Sequence, residues 1–148
     1  MVASAEIQES KSNSVIKRWL AERSELLVLY CRLTGKRNAL RLPEPDQISQ
    51  FCDILIDYVS AGHFEVYEQM VSMCDQHGPS SLALLEDIFP QISKTTDIVV
   101  DFNDKYAQGL SSEQLIKHLD KDLSMLGEAI ASRVELEDRL INTLSTHH

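Results

Sequence analysis

Apolar residues recur along this chain in steps of three and four, which is the helical spacing, and no segment alternates as a strand does. The first such stretch covers about residues 14–34. Pro43 and Pro45 close the loop that follows, and Asp46 is a suitable N-cap for a second helix. The pattern therefore predicts a first helix at about residues 14–34 and a second one that begins at Asp46.

The middle of the chain carries weaker helical signals that are separated by small residues and prolines. Residues 60–63, Ser-Ala-Gly-His, interrupt the second stretch and predict a break before a third helix of about residues 63–76. Pro90 is expected to begin or kink the next helix, which runs to about Tyr106. These signals predict a chain that changes direction at residues 60–63.

The last stretch is the clearest. Ser111 and Gln114 form a capping box, and neither proline nor a loop signal follows before about Ser145. Its apolar seam steps 3-4-3-4 through Ile116, Leu119, Leu123, Leu126 and Ile130. The predicted fold is all-α: an antiparallel up-and-down helical bundle with a four-helix-bundle core and a long C-terminal helix. Residues 1–13 are predicted to be a frayed tail, and residues 14–146 a single bundle domain.

Composition agrees with one globular domain. The 148 residues are 43% hydrophobic and 25% charged, which is enough for an ordinary core. No run approaches the roughly 20 apolar residues of a membrane span, and the N-terminus lacks the apolar stretch of a secretion signal. Cys31, Cys52 and Cys74 each lie on an apolar stripe, so we expect reduced core thiols in a cytoplasmic protein.

The charge distribution is the most informative feature. Between Pro45 and Lys94 there is no lysine or arginine, while residues 1–45 carry +3 and residues 94–148 carry −4 of the net −9. This middle segment holds eight carboxylates: Asp46, Asp53, Asp57, Glu65, Glu68, Asp75, Glu86 and Asp87. A field of one sign repels phosphate backbones and attracts basic surfaces. We therefore expect a cationic protein partner and no direct contact with nucleic acid.

The sequence carries no recognisable catalytic or metal-binding motif. Glu-x-x-His, HExxH, GxSxG, GxGxxG and P-loop patterns are absent, so we expect no enzyme, metal or cofactor. One alternative is a histidine-phosphotransfer-like domain that uses His63. A phosphorylated ring calls for a nearby cation, whereas Glu65 and Glu68 follow the histidine. A second alternative is an acidic adaptor for another basic protein.

Residues 57–68 (DYVSAGHFEVYE) are the candidate binding segment. Asp57 lies off the apolar stripe of its helix, and no lysine or arginine lies near it in sequence. Phe64 and Tyr67 are aromatic anchors of the kind that is enriched in interface hot spots. Taken alone, the residues favour core packing for the two aromatics and a partner contact for Asp57.

Three blocks of the chain resemble the Rsd/AlgQ (regulator of sigma D) family of bacterial anti-sigma factors. They are residues 18–30 (RWLAERSELLVLY), 57–68 (DYVSAGHFEVYE) and 127–141 (GEAIASRVELEDRLI). The resemblance implies a cytoplasmic, non-enzymatic bundle that binds region 4 of the primary, sigma-70-type factor of RNA polymerase. Such binding would block the −35 DNA and core polymerase contacts and favour alternative sigma factors, as in stationary phase. It implies no membrane or cofactor, and we expect a monomer, with self-association left open.

The resemblance also implies a set of contact residues. At or beside the sigma contact it places Asp57, Ser60, His63, Phe64 and Tyr67, with Trp19 and Arg23 bordering the same site from the first helix. Trp19 could equally belong to the core. Arg23 could instead pair with Glu137 or Asp138 and fix the helices relative to each other.

Overall fold

The computed structural model of the chain describes residues 2–35 and 43–145. These residues form α1 (Val2–Gly35), α2 (Pro45–Ala61), a π-helical turn (Gly62–Val66), α3 (Tyr67–His77), α4 (Pro79–Tyr106) and α5 (Ser112–Ser145). Within the described ranges there is no strand, and α1 packs on α2 while α4 packs on α5. The predicted all-α bundle with a long C-terminal helix is confirmed. The first helix begins upstream of its predicted start.

The core lies between the apolar faces of the helices, as their periodicity predicts. In α2 the buried face includes Ile48, Phe51, Leu55 and Val59. The seam of α5 differs by one residue at its start, because Leu115 is buried whereas the predicted Ile116 is 68% exposed. Its other buried apolar side chains include Leu119, Leu123, Leu126, Ile130, Leu140 and Leu144.

Two of the three cysteines occupy the expected positions. Cys52 and Cys74 are buried free thiols, whereas Cys31 is exposed, so its predicted core position is wrong. On α1 the buried positions nearby are Leu26 and Leu33. These lie seven residues apart, and Cys31 falls on a different face of the helix.

The predicted break at residues 60–63 is wrong. The chain passes from α2 through the π-helical turn into α3 without a loop, and Gly62 has helical angles (φ −62°, ψ −39°). A Cβ atom at Gly62 would lie 3.1 Å from Trp19 Nε1 and 3.1 Å from Arg133 Nη2. Gly62 therefore allows the helices to pack closely, and it does not form a turn.

Pro90 does not begin a new helix, and a kink at this position stays a prediction. It sits inside α4, where Ile88 and Ile92 are buried on either side of it. Proline removes one backbone hydrogen bond from a helix interior, at roughly 3 kcal/mol. Burial of the flanking apolar residues offsets that loss, since each contributes about 1.5–3 kcal/mol.

Capping residues fix the starts of α2 and α5. The Ser111–Gln114 capping box is confirmed: Ser111 N donates to Gln114 Oε1 over 3.2 Å, and Gln114 N donates to Ser111 Oγ over 3.3 Å. The predicted N-cap at Asp46 is wrong. Glu44 is the cap, with a reciprocal capping box to Gln47, and Pro45 takes the first helical position, where its missing N–H has no effect.

A tyrosine holds α1 against α5. Tyr30 Oη donates a hydrogen bond to the carbonyl oxygen of Leu123 over 2.8 Å. A Cβ atom at Gly127 would lie only 2.1 Å from that hydroxyl oxygen. Position 127 therefore admits no side chain while the tyrosine ring stays in place.

Gly127→Ala is expected to destabilise the fold by about 1–3 kcal/mol, because the new methyl group displaces Tyr30. Helix propensity alone would favour alanine by about 1 kcal/mol. Urea denaturation measures the difference, and the same change made in a Tyr30→Ala background should be neutral or stabilising. A Gly127→Ala variant as stable as the parent chain would contradict this packing.

Candidate partner-binding site

Three of the predicted site residues, Asp57, Ser60 and Phe64, line one groove. The groove lies between α1 and the end of α2 with its π-helical turn, and its volume is about 410 Å³. Its other lining residues are Arg18, Glu22, Ala61 and Glu65. The structure therefore brings one face of α1 against the candidate segment.

Phe64 projects from the π-helical turn into solvent. Its side chain is 70% exposed. Val66, two residues later, is 2% exposed and turns inward. Core packing, which the residues alone favoured for Phe64, is therefore wrong. An exposed aromatic ring beside carboxylates is a typical element of a protein interface.

Tyr67 lies away from the groove. Its ring is half-buried and packs against Phe89 of α4, with the ring centroids 4.0 Å apart. It borders a small internal cavity together with Met70 and Gly62. The side chain of His63 lies outside the described part of the structure, so its contact stays a prediction.

Trp19 and Arg23 are built into the bundle. Trp19 is 3% exposed and stacks on the ring of Tyr58 at 5.7 Å, while its Nε1 donates to the Tyr58 carbonyl oxygen over 3.3 Å. The guanidinium of Arg23 lies 3.3 Å from Glu137 Oε1 and 2.8 Å from Asp138 Oδ1. Trp19 is therefore a core residue, and Arg23 fixes α1 against α5. These are the alternative roles that the sequence allowed, and neither residue lines the groove.

A buried ion pair lies at the centre of the bundle. Arg133 and Glu137 are each 1% exposed, and Arg133 Nε donates to Glu137 Oε2 over 2.9 Å. Arg133 Nη1 donates to Thr96 Oγ1 (2.8 Å) and Thr95 Oγ1 (3.1 Å) on α4. The Tyr58 hydroxyl donates to Glu137. Burial raises the pKa of Glu137, and the positive charge of Arg133 opposes this.

Sequence reasoning missed this network, although a signal for it exists. After Ile130 the 3-4 seam of α5 continues through residues 133, 137, 140 and 144, so Arg133 and Glu137 occupy core positions. Charged residues at core positions indicate a buried pair, because unpaired charges are almost never buried. With Trp19 and Tyr58, the pair joins α1, α2, α4 and α5.

Arg133→Met is expected to destabilise the fold by about 3–5 kcal/mol, because it leaves Glu137 buried without its main counter-ion. Adding Glu137→Leu should recover much of that loss. The control is Arg139→Met, an exposed arginine on the same helix, which should change little. Urea denaturation of the four proteins tests this, and an unaffected Arg133→Met variant would contradict it.

Glu22 of α1 also lines the groove, and the sequence analysis did not identify it. It is half-buried in the groove, and its Oε2 atom is buried without a hydrogen-bond partner in the described structure. Burial raises the pKa of Glu22, and the nearby charge of Asp57 raises it further, while Arg18 opposes both. Arg18 itself pairs with Glu65 over 2.9 Å.

Glu22→Gln is expected to stabilise the fold at pH 7. The folded state binds the Glu22 proton more tightly than the unfolded state, so this carboxylate lowers stability as pH rises above the ordinary value of 4.5. The advantage of the variant should therefore vanish below about pH 4. Thermal unfolding at pH 7 and pH 4 measures it, with the exposed Glu25→Gln as control. A variant less stable than the parent at pH 7 would contradict this.

The described residues contain no group of three histidine, cysteine, aspartate or glutamate side chains that could hold a metal ion. Among the described helices, none has an apolar stretch long enough to cross a membrane. The lining of the groove consists of three carboxylates, one arginine and one aromatic ring, together with Ser60 and Ala61.

Comparison with known proteins gives a consistent match. The family model described as "Regulator of RNA polymerase sigma(70) subunit, Rsd/AlgQ" matches residues 1–145. The "Regulator of sigma D" of Shigella boydii serotype 4 is 37% identical over 134 residues, covering 88% of this chain and 83% of that protein. The protein of the same name from Yersinia enterocolitica serotype O:8 is 32% identical over 133 residues, covering 88% and 80%.

Proposed function

Because the chain belongs to the Rsd/AlgQ family of regulators of the RNA polymerase sigma(70) subunit, we propose that it is an anti-sigma factor. In this proposal the chain binds region 4 of the primary sigma factor through the face that carries the groove. Regulators of this family are non-catalytic, so binding itself is the activity. We place the protein in the cytoplasm as a monomer, where it meets RNA polymerase.

The observation that carries the proposal is an exposed aromatic ring in an acidic groove. Phe64 lies between Asp57 and Glu65, and all three are exposed on a segment that holds no lysine or arginine. Region 4 is a helix-turn-helix, and the face of such a motif that meets DNA is cationic because it contacts phosphates. An acidic groove with an aromatic anchor is complementary to that face.

The mechanism is steric competition guided by charge. The carboxylates of residues 46–93 steer the basic face of region 4 toward the groove and increase its association rate. Once it is bound, the groove covers the surface that reads the −35 element and the surface that docks on core polymerase. Alternative sigma factors then gain access to the polymerase.

The predicted site residues divide into two roles under this proposal. Asp57, Ser60 and Phe64 contact the partner directly, and His63 is expected to do so beside them. Trp19, Arg23 and Tyr67 act from within the bundle, where they support the helices that carry the contact residues.

Asp57→Ala is expected to weaken binding to isolated region 4 about tenfold, or about 1.4 kcal/mol, without lowering fold stability. Asp53→Ala is the matched control, because Asp53 is exposed one helical turn earlier and does not line the groove. Titration calorimetry with a −35 DNA duplex as competitor measures both the affinity and the face that is bound.

Displacement of bound region 4 by the duplex would support contact with its DNA-reading face. Binding that the duplex leaves unchanged would move the contact to the polymerase-docking side. If circular dichroism shows Asp57→Ala to be unfolded, Asp57 is structural and its assigned role is wrong. Absence of binding by the parent chain at low salt would overturn the proposed function.

A further inference from the structure

We infer that the π-helical turn positions the aromatic ring of the groove: Phe64 keeps the helical register of α2, and the chain changes register only after it. The turn takes up one residue more than an α-helical turn does, so α3 can follow a register of its own. Single π-helical turns within α-helices occur frequently at functional sites. This positioning role rests on the proposed function and assigns a part in it to the backbone of the turn.

A column of buried residues runs through the turn at intervals of four. Its members are Tyr58, Gly62, Val66, Met70 and Cys74. In an uninterrupted α-helix each four-residue step overshoots a full turn by about 40°, so the last member would lie about 160° from the first. The buried stripe of an amphipathic helix is roughly 100° wide. A turn that takes up an additional residue therefore brings the column back toward the core.

Both ends of the turn are held in place by the bundle. A Cβ atom at Gly62 would lie 3.1 Å from side-chain atoms of Trp19 and Arg133, so the chain packs directly on them here. At the other end Val66 is 2% exposed, and the backbone N–H of Tyr67 donates to the Gly62 carbonyl oxygen across the turn. The change of register therefore falls between these two ends.

The spacing of the groove residues places the change more closely. Asp57 and Phe64 both line the groove and are seven residues apart, which is about two turns of an α-helix. Ser60, which lies between them in sequence, lines the groove too. The register of α2 thus extends to Phe64, whereas Val66 already belongs to the buried column. The additional residue is therefore Glu65.

Two single-residue deletions test this assignment, because each converts the turn into α-helix and leaves α2 and α3 in their own registers. Deletion of Glu65 keeps Asp57 and Phe64 seven residues apart. Deletion of His63 shortens this spacing to six and rotates Phe64 by about 100° relative to α2, away from the groove. The matched controls are Glu65→Ala and His63→Ala, which remove the same side chains and keep the chain length.

Titration calorimetry with isolated region 4 should separate the two deletions. The chain without His63 should bind at least about tenfold more weakly than His63→Ala, because the aromatic ring has left the groove. The chain without Glu65 should bind within about twofold of Glu65→Ala, because Phe64 stays in place. Both should keep the circular dichroism of the parent chain, since the column stays buried.

A turn with only a structural role would give a different result, because the two deletions would then change binding equally. Equal losses, a larger loss on deletion of Glu65, or unfolding of either deletion variant would overturn this inference and leave the proposed function standing. Failure of the parent chain to bind region 4 would overturn the proposed function and the positioning role with it.

Discussion

The buried ion pair of Arg133 and Glu137 determines how the helices of the bundle pack. Removing two charges from water is unfavourable, so the pair is tolerated only because its hydrogen-bonding groups find partners on neighbouring helices. Thr95 and Thr96 bind the arginine from α4, and Tyr58 binds the glutamate from α2. The requirement for these partners fixes how α2, α4 and α5 sit against one another.

Residues of this network directly follow in sequence two residues that line the groove: Tyr58 follows Asp57, and Trp19 follows Arg18. Tyr58 joins the ion pair on one side and Trp19 on the other, while Gly62 is small enough for the Trp19 and Arg133 side chains to approach the start of the π-helical turn. The polar groups of this network are paired, whereas Glu22 Oε2 in the groove has no hydrogen-bond partner in the described structure. We interpret the network as a rigid base for the helices that carry the groove.

The sequence predicted the parts of the fold that depend on local rules. The apolar seam of α5 and the Ser111–Gln114 capping box are determined by periodicity and hydrogen bonding within a few residues. The break at residues 60–63 was wrong because small residues also allow close helix packing, which depends on distant side chains. The exposure of Phe64 and the partial burial of Glu22 depend on how α1 packs against α2. Such packing between distant segments cannot be predicted from a local sequence pattern.

The groove can be tested as the binding site by nuclear magnetic resonance mapping of the labelled chain, titrated with unlabelled sigma region 4. We expect the backbone amide signals of residues 18–22 and 57–65 to shift together and to saturate with the binding isotherm. Signals around the depression at the opposite end of α2, lined by Pro45, Tyr106 and Leu110, should stay in place. Shifts centred on that end, with the groove signals unchanged, would show that region 4 does not bind in the groove.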